Sequence, residues 1–93
     1  MDFVFAGMGV VSVDCLAILR DFGVNVVLFE GHEKNVPACD VLWSVHCRRI
    51  FREGDLAKAR LYALNVHNSL LPWNRGADAC YWALKDRTPH GAT

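Results

Sequence analysis

The chain has 93 residues and a mass of 10.4 kDa, and its ten Lys and Arg residues balance ten Asp and Glu residues. This length excludes two separate hydrophobic cores, and neutral charge with 53% apolar residues excludes disorder and a strongly basic nucleic-acid platform. Surface scaling predicts about 5,400 Å² of accessible surface for a folded monomer of this mass, so that about 64% is buried. We therefore expect one small globular domain of marginal stability.

The apolar amino terminus is interpreted as a buried strand rather than as a targeting signal. Asp2 stands where a signal peptide carries positive charge, and Asp14 interrupts the apolar run. No stretch approaches the roughly 18 to 20 consecutive apolar residues that a membrane span requires. The sequence therefore predicts a cytoplasmic protein with no membrane partner.

The cysteines are scattered along the chain and form no C-x-x-C pair, so neither a structural zinc site nor a redox pair is indicated. A cytoplasmic location favours reduced thiols. We expect four free, mostly buried cysteines and no metal site; the four are Cys15, Cys39, Cys47 and Cys80.

The first thirty residues predict a strand, a helix and a second strand. Phe3–Ala6 is a continuous apolar run, typical of a strand that is buried on both faces, and glycines in residues 7–9 indicate a tight turn. A helix is predicted next, with Ser12 as its cap and Gly23 at its carboxyl end. Val24–Phe29 is the second apolar run. Such a unit places the two strands parallel in one sheet.

The rest of the chain continues this alternation. After a loop at residues 31–39, the predicted segments are a strand Val41–His46, a helix Asp55–Arg60, a strand Ala63–His67, a loop Asn68–Gly76 and a helix Ala77–Leu84. This order predicts an α/β fold, a Rossmann-like and mostly parallel sheet with flanking helices. Ligands of such sheets bind beyond the carboxyl ends of the strands, here near residues 7–9, 46–51 and 65–76.

Asn65 and His67 lie two residues apart at the end of the last predicted strand. Residues at this spacing share one face of a strand, with α-carbons about 6.6 Å apart. An amide beside an imidazole suits attack on a carbonyl, because the amide stabilises the developing oxyanion while the imidazole takes or relays a proton. An isolated N-x-H is more typical of a capped polar turn at a strand end than of a catalytic pair, because short motifs recur by chance.

A longer segment surrounds this pair. It runs Asn65-Val66-His67-Asn68-Ser69-Leu70-Leu71-Pro72, then Arg75-Gly76-Ala77, Trp82-Ala83 and Gly91-Ala92-Thr93. It resembles the central signature of the folate-dependent formyltransferases, which include glycinamide ribonucleotide, methionyl-tRNA and sugar N-formyltransferases. Cys47-Arg48-Arg49-Ile50-Phe51 is similar to the family segment that holds the pterin ring, and Phe3-Val4-Phe5-Ala6-Gly7 to the family's opening strand. Residues 1–93 thus resemble a truncated amino-terminal catalytic domain of a formyltransferase.

The resemblance implies transfer of a formyl group from the co-substrate 10-formyltetrahydrofolate to a primary amine through a tetrahedral intermediate. Asn65 and His67 match two members of the family's catalytic Asn, His and Asp set. His67 would transfer a proton, and Asn65 would donate a hydrogen bond to the oxyanion. Both side chains are then expected to face a cleft bordered by residues 47–51.

The resemblance also implies a folate site and an acceptor. The expected folate-binding residues contact the pterin largely through backbone groups or shape the surrounding loop; they are Arg49, Ile50, Phe51 and Ser69. Asn74-Arg75-Gly76 followed by Tyr81-Trp82 is more similar to the sugar enzymes, which favours an amino-sugar nucleotide over methionyl-tRNA as the acceptor.

Two features depart from the family pattern. The family's catalytic Asp follows a strand that begins at Gly-x-Thr, and the sequence reaches that motif only at residues 91–93. In serine proteases, neutralising the carboxylate that orients a histidine costs about 10⁴ in turnover, so impaired formyl transfer is expected. The stretch between Glu30 and Asp40 is compressed where relatives carry a helix and a strand. We expect a narrow sheet whose open last edge favours self-association.

Two alternatives remain open at the level of the sequence. The segment Gly7-Met8-Gly9-Val10-Val11-Ser12 approximates a dinucleotide-binding fingerprint, and Glu30 stands where an acid would bind a ribose hydroxyl, although Ser12 replaces the third glycine. The second alternative is that the chain is a non-catalytic fragment, or a small folate- or nucleotide-binding Rossmann-like module.

Three arginines and two tryptophans are further candidates for ligand contact. Arg48, Arg49 and Arg52 suit a folate polyglutamate tail or an acceptor phosphate, although such clusters are commonly just solvated. Trp73 lies in the long loop and is the better candidate for stacking on a ligand, whereas Trp82 is expected in the core.

Overall fold

The computed structural model of the chain describes residues 1–7, 10–45 and 47–93. The elements of this part are β1 Asp2–Gly7, α1 Val10–Asp21, β2 Asn25–Phe29, β3 Cys39–Val45, α2 Glu53–Leu56, β4 Ala59–Val66 and α3 Ala79–Asp86. The strands form one sheet in the order β2-β1-β3-β4, and each neighbouring pair is parallel. The predicted Rossmann-like α/β fold with flanking helices is confirmed.

The turn and helix after β1 differ in detail from the prediction. α1 begins at Val10, so Ser12 lies inside the helix rather than at its cap. Residues 8–9 of the predicted glycine turn lie outside the described residues, as does His46. The carboxyl end agrees with the sequence, because Gly23 has a φ of 78° and takes the left-handed conformation that commonly terminates a helix.

The core lies on both faces of the central strands, because β1 and β3 bury residues of both alternating sets. On one face, Leu16 of α1 joins Phe5 and Val45 in a buried cluster. On the other face, the loop after β2 contributes to a second cluster, whose buried members are Val4, Ala6, Phe29, Val36, Cys39 and Leu42. The turn after β3 packs against this second cluster, which brings that turn next to the carboxyl ends of the strands.

β4 begins earlier than the sequence predicts. Ala59 already pairs with Cys39, and an irregular register follows before the regular ladder continues. α2 is accordingly confined to Glu53–Leu56 instead of extending over Asp55–Arg60. Pairing with β3 outweighs the weak helix preference of these residues, because tertiary context routinely overrides local propensity.

β4 is also an edge strand with exposed side chains on both faces. In the described part of the chain only β3 pairs with it along its length, so the open edge that the sequence predicts is present. Tyr62 is 63% exposed and Leu64 is 48% exposed. The apolar character of β4 therefore comes without the burial that such a strand usually has.

α3 starts two residues later than predicted. Asp78 has a φ of 57°, a left-handed conformation, so the helix begins only at the following residue. Trp82 was expected in the core but is 42% exposed, and this expectation is wrong. The buried residues of α3 are two small alanines, and the ring of Trp82 instead meets Tyr81 edge-on at 5.1 Å between centroids.

All four cysteines are free, and they differ in burial. Cys39 is buried, Cys15 and Cys47 are half-buried and Cys80 is exposed, so the expectation of mostly buried thiols is wrong. Burial raises the pKa of the Cys39 thiol, which keeps it protonated at neutral pH. Among the residues described, no helix combines the length and the apolar character needed to cross a membrane.

Candidate active site at the carboxyl ends of the strands

Asn65 lines a small hollow near the carboxyl ends of β3 and β4. It lies in register with Ser44 of β3, and Phe51 from the turn after β3 borders the same hollow. The volume is about 90 Å³, and the other lining residues are Leu42, Leu56, Ala63 and Leu64. A water molecule occupies about 30 Å³ in the liquid, so the hollow accepts part of a ring and leaves the rest of a ligand outside.

His67 directly follows β4 and is fixed through both its backbone and its ring. Its N–H donates to the Thr93 carbonyl at 2.7 Å, and its carbonyl accepts from the Thr93 N–H at 2.8 Å. This reciprocal exchange is typical of an antiparallel hydrogen-bonded pair. The ring Nε2 lies 3.0 Å from the carbonyl oxygen of Asn74. His67 is half-buried, and among the described residues it is Asn65, not His67, that lines the hollow beside Phe51.

Thr93 closes the loop that follows His67. Its hydroxyl donates to the Ser69 carbonyl at 2.7 Å and accepts from the Leu71 N–H at 3.1 Å. Ser69 is 0% exposed, and its hydroxyl has no hydrogen-bond partner within the described chain. The structure therefore places Ser69 beneath the surface of this loop, tied to Thr93 through its backbone carbonyl.

The guanidinium of Arg49 is occupied by protein groups. Its Nη2 lies 2.9 Å from Asp55 Oδ1 and 3.2 Å from the Lys34 carbonyl, and its Nη1 donates to the Glu33 carbonyl. The same group lies over the ring of Phe29 at 5.1 Å from its centroid. Arg49 therefore joins the loop after β2 to the turn after β3.

Asp55 is the second half of this connection. One carboxylate oxygen accepts from the Arg52 N–H at 3.1 Å and the other meets Arg49. The Arg52 N–H, followed by the Arg49 guanidinium, holds the pKa of Asp55 below its ordinary value. Of the three predicted arginines, Arg48 and Arg52 remain exposed.

The segment after Arg49 offers backbone groups rather than side chains. Ile50 is 84% exposed, and the Phe51 ring packs against Phe29 at 6.2 Å between centroids. Within the part of the chain that the structure describes, the N–H and C=O of Ile50 and Phe51 make no hydrogen bond. Phe51 also borders the hollow, which brings this segment next to Asn65.

No carboxylate orients the imidazole of His67 among the described residues, where the ring contact is a backbone carbonyl. This imidazole therefore has a fixed ring but no adjacent negative charge.

The acids at the end of β2 form a separate group. Glu30, His32 and Glu33 hold their ligand atoms within 4.8 Å of one another. Both oxygens of Glu33 already accept backbone N–H groups, from Glu30 at 3.1 Å and Gly31 at 2.9 Å. The Glu30 N–H is the main cause of the lowered pKa of Glu33. These contacts identify Glu33 as a cap of the loop, and the dinucleotide fingerprint itself includes residues 8–9, outside the described chain.

The hydrogen-bond partners that fix His67 and its loop were not predicted from the sequence. Asn74 and Thr93 were noted only as parts of longer motifs, and Thr88 was not predicted to have any role. Asn74 has a φ of 55°, and asparagine is several-fold enriched in this left-handed conformation, so its place in the loop carried a usable signal. The two threonines bond to residues 14 to 24 positions away, and no local pattern indicates such contacts.

No family model matches the chain. Among solved structures, the chain is similar to the formyltransferase PseJ from Anoxybacillus kamchatkensis, with 25% sequence identity and a TM-score of 0.84. The similarity covers 100% of this chain and 50% of that one, so the chain spans half the length of its structural neighbour. The PseJ structure is a complex with UDP-4,6-dideoxy-4-formamido-L-AltNAc and tetrahydrofolate.

Proposed function

Because the chain is a formyltransferase-like α/β domain, we propose that it binds 10-formyltetrahydrofolate and directs its formyl group to a primary amine. The observation that carries this proposal is the position of Asn65. Asn65 lines a hollow at the carboxyl ends of β3 and β4, together with Phe51 of the turn after β3. This is the edge at which parallel α/β sheets bind their ligands.

Asn65 and His67 divide the chemistry of transfer between them. The amine nitrogen forms a bond to the formyl carbon, and the carbonyl π pair moves to the oxygen. The Asn65 amide donates to that oxyanion, a contact whose loss commonly costs about 2.7 to 4 kcal/mol. His67 takes a proton from the amine and returns it to the folate nitrogen as the carbon–nitrogen bond to folate breaks. The products are a formamide and tetrahydrofolate, with no net proton released.

The folate subsite in this proposal uses backbone groups and shape. The N–H and C=O groups of Ile50 and Phe51 meet the polar edge of the pterin, and the apolar hollow takes one side of the ring. Arg49 contributes by holding this segment in place through Asp55, and buried Ser69 supports the loop on the far side. Each of the four residues thus shapes the folate subsite more than it contacts the folate through its side chain.

An amino-sugar nucleotide is the proposed acceptor. The structure of PseJ contains a UDP-linked formamido sugar, which supports a small-molecule amine. The similarity of residues 74–76 and Tyr81-Trp82 to the sugar enzymes favours the same class. Methionyl-tRNA is the less favoured acceptor.

One observation favours a second candidate function, a folate-binding module without catalysis. No described carboxylate orients His67, and loss of such a group from a serine-protease triad lowers turnover about 10⁴-fold. We therefore expect folate binding with little or no formyl transfer by these 93 residues.

A titration with tetrahydrofolate tests the proposed binding site. Ala63→Leu places three further carbons in the hollow of about 90 Å³ and is expected to weaken binding at least 10-fold, because the ring loses its contact surface. The matched control is Ala17→Leu on the exposed side of α1, which leaves the hollow unchanged. Folded wild-type protein that does not bind tetrahydrofolate, or equal binding by both variants, contradicts the proposal.

Formyl transfer is measured separately, with protein in excess over the formyl donor and an amino-sugar nucleotide as acceptor. His67→Ala is expected to lower the rate of formyl transfer about 10²- to 10⁴-fold relative to the wild type. Transfer that survives this substitution contradicts the role of His67. Tight tetrahydrofolate binding with transfer at the uncatalysed rate supports the non-catalytic candidate.

A further inference from the structure

The contact between His67 and Asn74 defines the protonation state of the neutral imidazole. Nε2 lies 3.0 Å from a backbone carbonyl oxygen, which accepts hydrogen bonds and has no proton to donate. Nε2 must therefore carry the proton in this contact. In a neutral imidazole only one nitrogen is protonated, so Nδ1 is left with its lone pair.

Asn74 is itself held in place by its side chain. Its Nδ2 donates to the Thr88 hydroxyl at 2.8 Å, and the Asn74 backbone is in the left-handed conformation with a φ of 55°. The Thr88 N–H in turn donates to the carbonyl of Ala83 in α3 at 3.1 Å. A continuous chain of hydrogen bonds thus runs from α3 through Thr88 and Asn74 to the ring of His67.

We infer that Asn74, held by Thr88, is a positioning residue that keeps His67 in its Nε2-protonated tautomer and presents Nδ1 as the proton acceptor. This inference rests on the proposed function for the identity of the proton donor, the attacking amine. The N–H bond of the amine breaks and an Nδ1–H bond forms, which leaves an imidazolium still bonded to the Asn74 carbonyl. The same proton then passes to the folate nitrogen.

The arrangement replaces part of what a carboxylate does in a catalytic triad. A carboxylate both selects the tautomer and stabilises the imidazolium by charge. The neutral Asn74 carbonyl performs the first task, and its partial negative charge contributes little to the second. The separation of these two tasks is consistent with a His67 that is well oriented and weakly activated.

The test is the ¹⁵N NMR spectrum of the His67 ring, measured about two pH units above the ordinary histidine pKa of about 6.5. The wild type is expected to show a protonated Nε2 and an unprotonated Nδ1. Thr88→Val keeps the shape of the side chain but removes the hydroxyl that holds Asn74, and is expected to lower the ratio of the two tautomers about 3- to 10-fold. Thr88→Ser restores the hydroxyl and is expected to restore the ratio.

Asn74→Gly provides a second variant in case Thr88→Val unfolds the chain. Glycine accepts a φ of 55° and retains the backbone carbonyl, so only the link to Thr88 is lost, and the same fall in the ratio is expected. A wild-type ring protonated at Nδ1 overturns the inference, as does a folded variant, of either kind, with the wild-type ratio. The spectra need neither folate nor an amine, so this result is independent of whether the proposed transfer occurs.

Discussion

The hydroxyl of Thr93 holds the loop that carries the candidate catalytic histidine. It donates to the Ser69 carbonyl and accepts from the Leu71 N–H, while the Thr93 backbone pairs with His67. Thr93→Val keeps the backbone pair and the branched shape and removes both hydroxyl contacts. We expect a loss of about 1 to 2 kcal/mol in the free energy of unfolding, measured with urea.

Thr93→Val is expected to change hydrogen exchange at the Leu71 amide more clearly than it changes the free energy of global unfolding. The Leu71 amide loses its acceptor, so its hydrogen exchange is expected to accelerate in Thr93→Val and to stay slow in Thr93→Ser, which retains the hydroxyl. Equal exchange in the two variants would show that the hydroxyl contacts do not hold this loop.

For individual residues, the place in the fold is easier to predict from the sequence than the hydrogen-bond partners of the side chain. The two-residue spacing of Asn65 and His67 is sufficient to place them at the end of one strand, because strand geometry alone sets that relation. Arg49 is predicted to contact folate largely through its backbone; its guanidinium meets Asp55 and two carbonyls of the loop after β2, contacts that were not predicted. Those carbonyls have no sequence signal, because every residue carries one.

The turn after β3 and the short helix α2 are joined by one carboxylate, so their stability depends on pH. The pKa of Asp55 is lowered in the folded chain, mainly by the Arg52 N–H and then by Arg49. A carboxyl with a lowered folded pKa stabilises above its ordinary value of 3.8, and this contribution is lost as the pH falls through the lowered value. We expect the protection factor of the Arg52 amide, the exchange rate of an unstructured peptide at the same pH divided by its own, to fall below about pH 4.

Asp55→Asn removes this titration and keeps the shape of the side chain. The protection factor of its Arg52 amide is expected to be lower already at neutral pH and to change little further on acidification. Asp40→Asn is the matched control, because the pKa of Asp40 is also lowered, first by the Asp2 N–H and then by Arg60, at a different place in the sheet. If Asp40→Asn changes the Arg52 amide as much as Asp55→Asn does, acid acts on the whole fold and not on this turn.

At the scale of elements, strands with continuous apolar runs were predictable and boundaries next to short helices were not. The runs that became β1, β2 and β3 were all recognised from the sequence; β1 and β3 are buried in the sheet, whereas β2 lies at its edge and buries only Phe29. The amino-terminal half of β4 was missed because Arg60 and its neighbours look helical in isolation. That half is a strand because it pairs with the edge of β3, where Ala59 lies opposite Cys39.

The whole molecule exposes more surface than its mass predicts. Its accessible surface is 6648 Å², about a fifth above the roughly 5,400 Å² expected for a folded monomer. The radius of gyration is 14.2 Å, compared with about 12.3 Å for a compact domain of this length. The excess reflects principal extents of 41 × 30 × 22 Å and an edge strand whose apolar side chains are uncovered. Composition predicts a globular domain, but it does not indicate that the side chains of β4 are exposed.

An eight-residue, largely apolar edge strand is expected to pair with other chains, because its free N–H and C=O groups form a ready template. We predict that the wild type associates as its concentration rises and that Leu64→Lys shifts it toward the monomer, since a charge on an edge strand opposes pairing. Leu84→Lys on α3 is the matched control, because Leu84 is an exposed leucine away from the edge, 82% exposed against 48% for Leu64. Sedimentation velocity over a concentration series measures the association. If Leu84→Lys dissociates the chains as strongly as Leu64→Lys, general surface hydrophobicity rather than strand pairing drives it, and the edge of β4 is not the site of contact.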